Sequence, residues 1–132
     1  MSTVTDGLDD AEGTIDPPFT LGPYSPATRA GNLVFASAQS GVDPATNEVP
    51  PGGFEAECRQ AFANLSRTLK AAGAELDEVV KVTVLYTDLS YLPVINEIFT
   101  EVFPNHPPAR TAAVVRLAGD RRIAIDAIAA TS

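Results

Sequence analysis

The sequence predicts an α+β fold in which two helices pack on one face of a mixed β-sheet. The first observation is the order of the elements, which is strand, strand, helix, strand, helix, strand, strand. That order fits neither the regular alternation of a parallel doubly wound sheet nor an all-helical bundle. The second observation is that the strands carry apolar residues on both faces, and two helices in a chain of 132 residues cannot cover both. We therefore expect the second face to be buried between copies of the chain.

The first two strands form a predicted hairpin. Residues 27–29 and 33–38 are short strand-like segments on either side of Gly31-Asn32, a dipeptide that favours a tight turn. The preceding segment, PPFTLGPYSP at 17–26, is rich in proline and is expected to hold Tyr24 on a stiff turn. The hydroxyl of Tyr24 would then either face a ligand or pack beneath its own turn.

The first helix is predicted over residues 54–72, and Gly73 follows it where a left-handed C-terminal cap is common. Cys58 belongs to its apolar stripe, which indicates a small core side chain rather than a reactive thiol. The stripe repeats at spacings of three and four residues, as an amphipathic helix requires, and consists of Phe54, Cys58, Ala61, Phe62, Leu65, Leu69 and Ala72.

The strongest strand prediction covers residues 79–86, and a second helix is predicted over 91–102. Alternate residues of the strand predict one wholly apolar face, formed by Val80, Val82, Val84 and Tyr86. The spacing in the helix predicts an inward-facing stripe with Asn96 on its border, formed by Leu92, Ile95, Phe99 and Val102.

Arg110 stands between a proline-rich loop and a predicted strand, in the segment VFPNHPPARTAAVVRL at 102–117. The three prolines of the loop exclude a helix, and the apolar run at 112–115 has strand composition. An arginine that opens a strand after a rigid loop is a fixed cation at a sheet edge, and its planar guanidinium suits a carboxylate ligand. A local surface ion pair is the alternative for the same side chain.

The last strand is predicted over residues 122–130 and contains a charge in an apolar setting. Asp126 is the only charged residue after the initial arginine of that strand. An acid so placed usually has a partner, so Asp126 is either a paired or edge aspartate or a member of a functional site.

The composition describes an acidic globular domain. The net charge is −8 and Arg121-Arg122 is the only basic pair, so we expect no nucleic-acid partner. A single cysteine, Cys58, and a single histidine, His106, argue against a metal site or a Cys–His pair, and no nucleotide-binding motif occurs, so no metal or cofactor is expected. Without a long apolar run or a signal-like start, the sequence predicts a cytosolic protein with no membrane span.

The first 16 residues are predicted to be a disordered acidic tail, and the folded domain is predicted to span residues 17–132. The tail has five acidic residues, no basic residue and few large apolar ones, so it cannot bury enough surface to offset the entropy of ordering. Its removal is expected to leave stability and assembly unchanged.

Five segments together resemble the Rid (YjgF/YER057c/UK114) family over roughly residue 20 to the end. The resemblance implies a chorismate-mutase-like fold and a homotrimer with clefts between its subunits. In chain order the segments are GPYSPA at 22–27, FASAQSGVDPATNEVP at 35–50, VTVLYTDLSYLPVINEIF at 82–99, PPAR at 107–110 and IAIDAIA at 123–129.

The resemblance also implies an activity. Members of the family include deaminases that hydrolyse 2-aminoacrylate and related imines and enamines to 2-keto acids and ammonia, without metal or cofactor. Arg110 matches the family arginine that binds the substrate carboxylate. Other positions that match substrate-binding sites of the family are Tyr24, Ser37, Ala38, Asn96 and Ala112. The family is also named after endoribonucleases, an activity that the acidic charge of this chain disfavours.

Three alanines depart from the pattern of the deaminases. Ala38 replaces a glycine, Ala112 replaces a cysteine but keeps its backbone N–H, and Ala124 replaces the glutamate that helps to orient water. Asp126 lies on the same strand face as Ala124 but about 6.5–7 Å further along, so it cannot simply substitute. The sequence therefore leaves two functions open: an imine or enamine deaminase, or a non-catalytic protein that binds a small carboxylate in the same cleft.

Overall fold

The computed structural model describes residues 22–132, so the predicted tail at 1–16 and the first residues of the predicted domain lie outside the described residues. Short 3-10 turns precede the third strand and the second helix. The main elements are β1 (Ala27–Ala30), β2 (Leu33–Ser40), α1 (Gly53–Ala71), β3 (Val79–Tyr86), α2 (Leu92–Val102), β4 (Ala109–Val114) and β5 (Ile123–Ala130).

The five strands form one mixed sheet in the order β1-β2-β5-β3-β4. β1 with β2, β2 with β5, and β5 with β3 pair antiparallel, whereas β3 and β4 pair parallel because α2 carries the chain back between them. The last strand in sequence is therefore the central strand in space. The predicted α+β architecture, with a mixed sheet and two helices, is confirmed.

The predicted turn at Gly31-Asn32 and the predicted helix cap at Gly73 are also confirmed. Gly31 adopts a positive φ of 60° in the hairpin between β1 and β2, and Gly73 adopts a φ of 85° just after α1. Before α2, Asp88 accepts a hydrogen bond at 2.8 Å from the backbone N–H of Ser90, which lowers the pKa of the Asp88 carboxyl. Pro93 then occupies the first turn of α2, where its missing N–H costs nothing.

The core lies between the two helices and one face of the sheet. Both helices and alternate residues of β3 and β5 contribute to a single buried cluster, in which Ile123, Ile125 and Ala129 are fully buried. Cys58 is buried in this cluster, and burial raises the pKa of its thiol to about 12, as expected for a core side chain. Neither helix of the described chain is long and apolar enough to cross a membrane.

Two details of the predicted core are wrong. Val80 is 49% exposed, because the register of β3 against β5 shifts between Val79 and Lys81 and this bulge turns Val80 out of the apolar face. On α2, Ile98 is buried although the predicted stripe omitted it, whereas the predicted members Leu92 and Val102 are half-buried but do pack against the core. The stripe of α2 therefore faces the core through Ile95, Ile98 and Phe99.

The other face of the sheet is open in one chain. On this face, Phe35 is 38% exposed and lies opposite Ile128, while Leu85 and Ala124 are neighbours in register. Its polar members include Lys81, whose ammonium donates to the hydroxyl of Thr111 at 3.0 Å. A face that mixes exposed apolar side chains with polar ones is suited to burial against another chain.

Candidate active site

Arg110 is the second residue of β4, and its side chain lies on the helix side of the sheet. It is paired in register with buried Val82, and its guanidinium carbon lies 4.9 Å from the ring centroid of Phe99 on α2. One of its terminal nitrogens, Nη1, donates a hydrogen bond of 2.9 Å to Oδ1 of Asn96. The structure thus brings together Arg110 and Asn96, two of the residues predicted for the site.

The two helix residues fix the direction of the arginine. Asn96 and Phe99 are three residues apart and so occupy the same face of α2. Phe99 packs in turn against Phe62 and Phe103, so the ring below the guanidinium cannot easily move. The Nε and Nη2 groups of Arg110 have no hydrogen-bond partner among residues 22–132, which leaves one two-pronged edge of an exposed guanidinium available for a carboxylate.

Ala112 lies two residues further along β4, on the same side as Arg110 and beside Val84. It is exposed, and β4 is an edge strand of the sheet. Half of the backbone groups of an edge strand have no ladder partner, so this position presents main-chain donors and acceptors next to the arginine.

A second group lies toward the opposite edge of the sheet, on and just before the β1–β2 hairpin, and consists of Tyr24, Ser37 and Ala38. The hydroxyl of Ser37 donates to the carbonyl of Ser25 at 2.7 Å, and its backbone N–H donates to the carbonyl of Pro26 at 2.8 Å. These bonds tie β2 to the segment that carries Tyr24, whose side chain is 49% exposed. Ala38 is exposed and belongs to a bulge in β2, where the pairing with β5 shifts register between Ala36 and Gln39.

One chain does not bring the two groups together. β5 and β3 lie between β2 and β4, so three strand spacings, roughly 14 Å, separate Ser37 from Arg110. Asp126 lies between them on β5, half-buried on the open face beside Thr83. Within residues 22–132 its carboxylate has no hydrogen-bond or ion-pair partner. Ala124 lies on the same open face, opposite Leu85.

Sequence reasoning missed a buried ion pair between α1 and the start of β5. Glu57 is fully buried, and its two carboxylate oxygens accept from the backbone N–H of Arg122 at 2.7 Å and from its Nε at 2.6 Å. The hydrogen bond that Arg122 donates to Glu57 raises the pKa of the Arg122 guanidinium, which also lies 5.9 Å from the ring centroids of both Phe54 and Tyr91. One signal was available in the sequence: Glu57 lies three residues after Phe54 and so on the apolar face of α1, where a carboxylate needs a partner.

The backbone of Glu57 also explains why position 41, directly after β2, is a glycine. A Cβ atom at Gly41 would overlap the backbone carbonyl of Glu57, so only glycine allows the chain to pass this close to α1. Nearby, the amide of Asn64 donates 2.8 Å hydrogen bonds to the carbonyls of Ser40 and Val42. The end of β2, the middle of α1 and the start of β5 are thereby locked to one another.

The fold and the site define a small α+β protein with an exposed arginine held at its sheet edge, and comparison with known proteins gives its family. The family model described as endoribonuclease L-PSP matches residues 14–131. The chain belongs to this family, which is the Rid family identified from its motifs. The prediction of the family is confirmed.

Individual relatives cover most of the chain. The 2-iminobutanoate/2-iminopropanoate deaminase of Mus musculus is 40% identical over 117 residues, which cover 88% of this chain and 87% of the mouse protein. The crystal structure of RidA from the Antarctic bacterium Psychrobacter sp. is 39% identical, with a TM-score of 0.82 over 86% of this chain and 93% of that one. E. coli TdcF with bound serine is 33% identical, with a TM-score of 0.81 over 88% and 94% of the two chains.

Proposed function

We propose that this protein is an imine deaminase that hydrolyses small 2-imino and enamino acids of the 2-aminoacrylate type to 2-keto acids and ammonia. The observation that carries the proposal is Arg110, an exposed guanidinium held by Asn96 and Phe99 with one edge free for a carboxylate. The names of the mouse relative and other similar deaminases support the reaction class. The serine bound to TdcF supports a small ligand that carries a carboxylate beside a nitrogen.

The chemistry needs little from the protein beyond positioning. Water adds to the carbon of the C=N bond, a proton moves to the nitrogen, and the C–N bond then breaks to leave a carbonyl and release ammonia. Imine hydrolysis is intrinsically easy, so a carboxylate bound to Arg110 and a water molecule held beside the imine carbon supply the main catalytic effect. The hydroxyl of Tyr24 and exposed main-chain groups of β4 are the polar groups proposed to hold that water.

The proposed reaction site is a cleft between copies of the chain. Arg110, Asn96 and Ala112 would come from one copy, and Tyr24, Ser37 and Ala38 from the next. Support comes from the roughly 14 Å between the two groups in one chain and from the exposure of β4 at the sheet edge. A metal ion or cofactor has no part in this proposal.

A second candidate function is binding of a small carboxylate without turnover. It is favoured by the lack of an acidic group to orient water. Ala124 carries none, and Asp126 lies on the open face rather than beside Arg110. The decisive experiment is to measure ammonia release from freshly generated 2-aminoacrylate and from bulkier imines. Release above the spontaneous rate that is lost in Arg110→Ala supports the deaminase. If wild type and Ala124→Glu are both inert while pyruvate still binds, the deaminase proposal is wrong.

We predict a homotrimer, because the open face carries exposed Phe35 and half-buried Ile128 and Leu85, and because the proposed cleft needs two copies. Sedimentation equilibrium at micromolar concentration should give three times the chain mass of 13.8 kDa. Phe35→Glu places a charge on that face and should shift the population toward monomer, whereas Leu89→Glu, at an exposed position before α2, should not. A wild-type monomer at this concentration would contradict both the trimer and the shared cleft.

We predict that Phe99 supports ligand binding through Arg110. Phe99→Leu removes the ring beneath the guanidinium and should weaken pyruvate affinity by about two- to fivefold, the value of an exposed cation–π contact. Phe103→Leu is the matched control, since Phe103 is equally buried in the same aromatic cluster but does not lie under Arg110. In an Arg110→Lys background the effect of Phe99→Leu should shrink. Equal losses from Phe99→Leu and Phe103→Leu would show a general packing effect instead.

A further inference from the structure

A second feature of the described chain has the chemistry of a binding site. An open groove of about 580 Å³ lies at the carboxyl ends of the parallel strands β3 and β4, where β5 begins. Its lining includes Thr87, the turn at 116–122 and, within that turn, three arginines: Arg116, Arg121 and Arg122. This volume lies in the range that small-molecule ligands occupy.

Two of the three arginines are held in place by the fold. Arg121 donates from Nε to the hydroxyl of Ser40 at 3.2 Å, and Arg122 donates from Nε to buried Glu57 at 2.6 Å. The terminal Nη groups of Arg121 have no hydrogen-bond partner among the described residues. A guanidinium anchored through Nε and free at its end is pre-organised to donate two parallel hydrogen bonds to one anion.

Arg116, two residues after the end of β4, is the third arginine of the groove. It is exposed, and its side chain has no hydrogen bond or ion pair within residues 22–132. The three guanidiniums carry more N–H donors than Ser40, Glu57 and the one acidic lining residue, Asp120, can accept. One third of the nine basic residues of a protein with a net charge of −8 therefore meet in one groove.

The groove is separate from the guanidinium of the proposed active site. Arg110 is the second residue of β4, whereas the groove begins at Val114, the last residue of that strand, roughly 13 Å further along. The residues that fix Arg110, on the face of α2, are not among those that line the groove.

We propose that this groove is a second anion-binding site, which takes a small ligand bearing a phosphate group or a pair of carboxylates between Arg116 and Arg121. The free end of one guanidinium can donate hydrogen bonds to two oxygens of such a group. The second guanidinium adds a second positive charge, which favours a doubly charged anion over a single carboxylate. The remaining volume accommodates the body of the ligand.

Titration calorimetry with inorganic phosphate, succinate and acetate, at constant ionic strength set by sodium chloride, tests the proposal. Phosphate or succinate should bind in the millimolar range or tighter, and acetate more weakly than either. Arg116→Gln and Arg121→Gln should each weaken binding of the dianion by roughly tenfold, as expected for loss of a charge-assisted hydrogen bond. Tighter binding of phosphate would identify a ligand with a phosphate group, and tighter binding of succinate would identify a dicarboxylate.

Two variants control for charge and for location. Lys70→Gln removes one exposed positive charge from the last turn of α1 and should leave the affinity unchanged. Arg110→Gln should also leave it unchanged. The proposal is wrong if wild type binds neither dianion, if Lys70→Gln weakens binding as much as Arg116→Gln, or if Arg110→Gln abolishes it, since the anion would then occupy the proposed active site.

Discussion

Arg110→Ala is expected to weaken binding of pyruvate by about 10- to 150-fold and to abolish turnover, while the fold and assembly persist. The reason is that the guanidinium is exposed and, among residues 22–132, hydrogen-bonded only to Asn96, so its removal leaves no buried group of those residues without a partner. Loss of a charge-assisted hydrogen bond to a ligand costs roughly 1.5–3 kcal/mol, which corresponds to that range of affinity. Calorimetric titration of pyruvate, combined with a melting curve, measures both quantities.

Arg110→Lys separates geometry from charge. An ammonium keeps the positive charge but loses the two-pronged edge formed by Nε and Nη2, so it should recover only part of the affinity. Arg116→Lys, at an exposed arginine at the other end of β4, should leave pyruvate binding unchanged. If Arg110→Ala lowers the melting temperature substantially and leaves ligand binding intact, the arginine is structural and the proposed site is wrong.

Glu57→Ala is expected to lower the free energy of unfolding by about 2–4 kcal/mol. Its carboxylate is fully buried and accepts from both the backbone and the side chain of Arg122, so the change leaves a buried N–H unpaired and a cavity behind. The side chain of Arg122 is 34% exposed and can recover some hydration, which places the loss below that of a wholly buried pair. Urea unfolding at fixed protein concentration measures the effect.

Two variants show whether the position or the charge matters. Glu55→Ala, two residues earlier on α1, removes an exposed carboxylate paired with Arg59 and should cost less than about 0.5 kcal/mol. Glu57→Gln keeps an acceptor of similar shape and should cost less than Glu57→Ala. Equal losses for Glu55→Ala and Glu57→Ala would mean that the buried pair contributes nothing specific.

The architecture was predictable because each of its signals is local. The spacing of apolar residues in α1, the Gly31-Asn32 turn and the run at 79–86 depend on a few neighbouring residues, and all three have the predicted structure. The bulge that exposes Val80 depends instead on how β3 meets β5, a strand some 45 residues later, so no pattern within 79–86 contains it. Glu57 is a similar case, since only the arrival of Arg122 makes its burial favourable.

For the candidate site, the family resemblance indicated most of the candidate residues but not their arrangement. Chemistry and context indicated Arg110, and the structure adds the two contacts, to Asn96 and Phe99, that orient it. Ser37 and Arg110 were predicted on different strands of one sheet, but nothing in the sequence alone indicated that β5 and β3 lie between those strands. That separation follows from strand order, which depends on long-range pairing rather than on composition.

The central place of β5 has a consequence for synthesis of the protein. While residues up to the end of β4 have left the ribosome, the chain holds two strand pairs, β1 with β2 and β3 with β4, and no strand pairing joins them into one sheet. Ile123, Ile125 and Ala129 are fully buried, so part of the hydrophobic gain arrives only with the last strand. A message truncated before codon 123 should therefore yield a chain without the complete sheet, which is more open to proteolysis than the full chain.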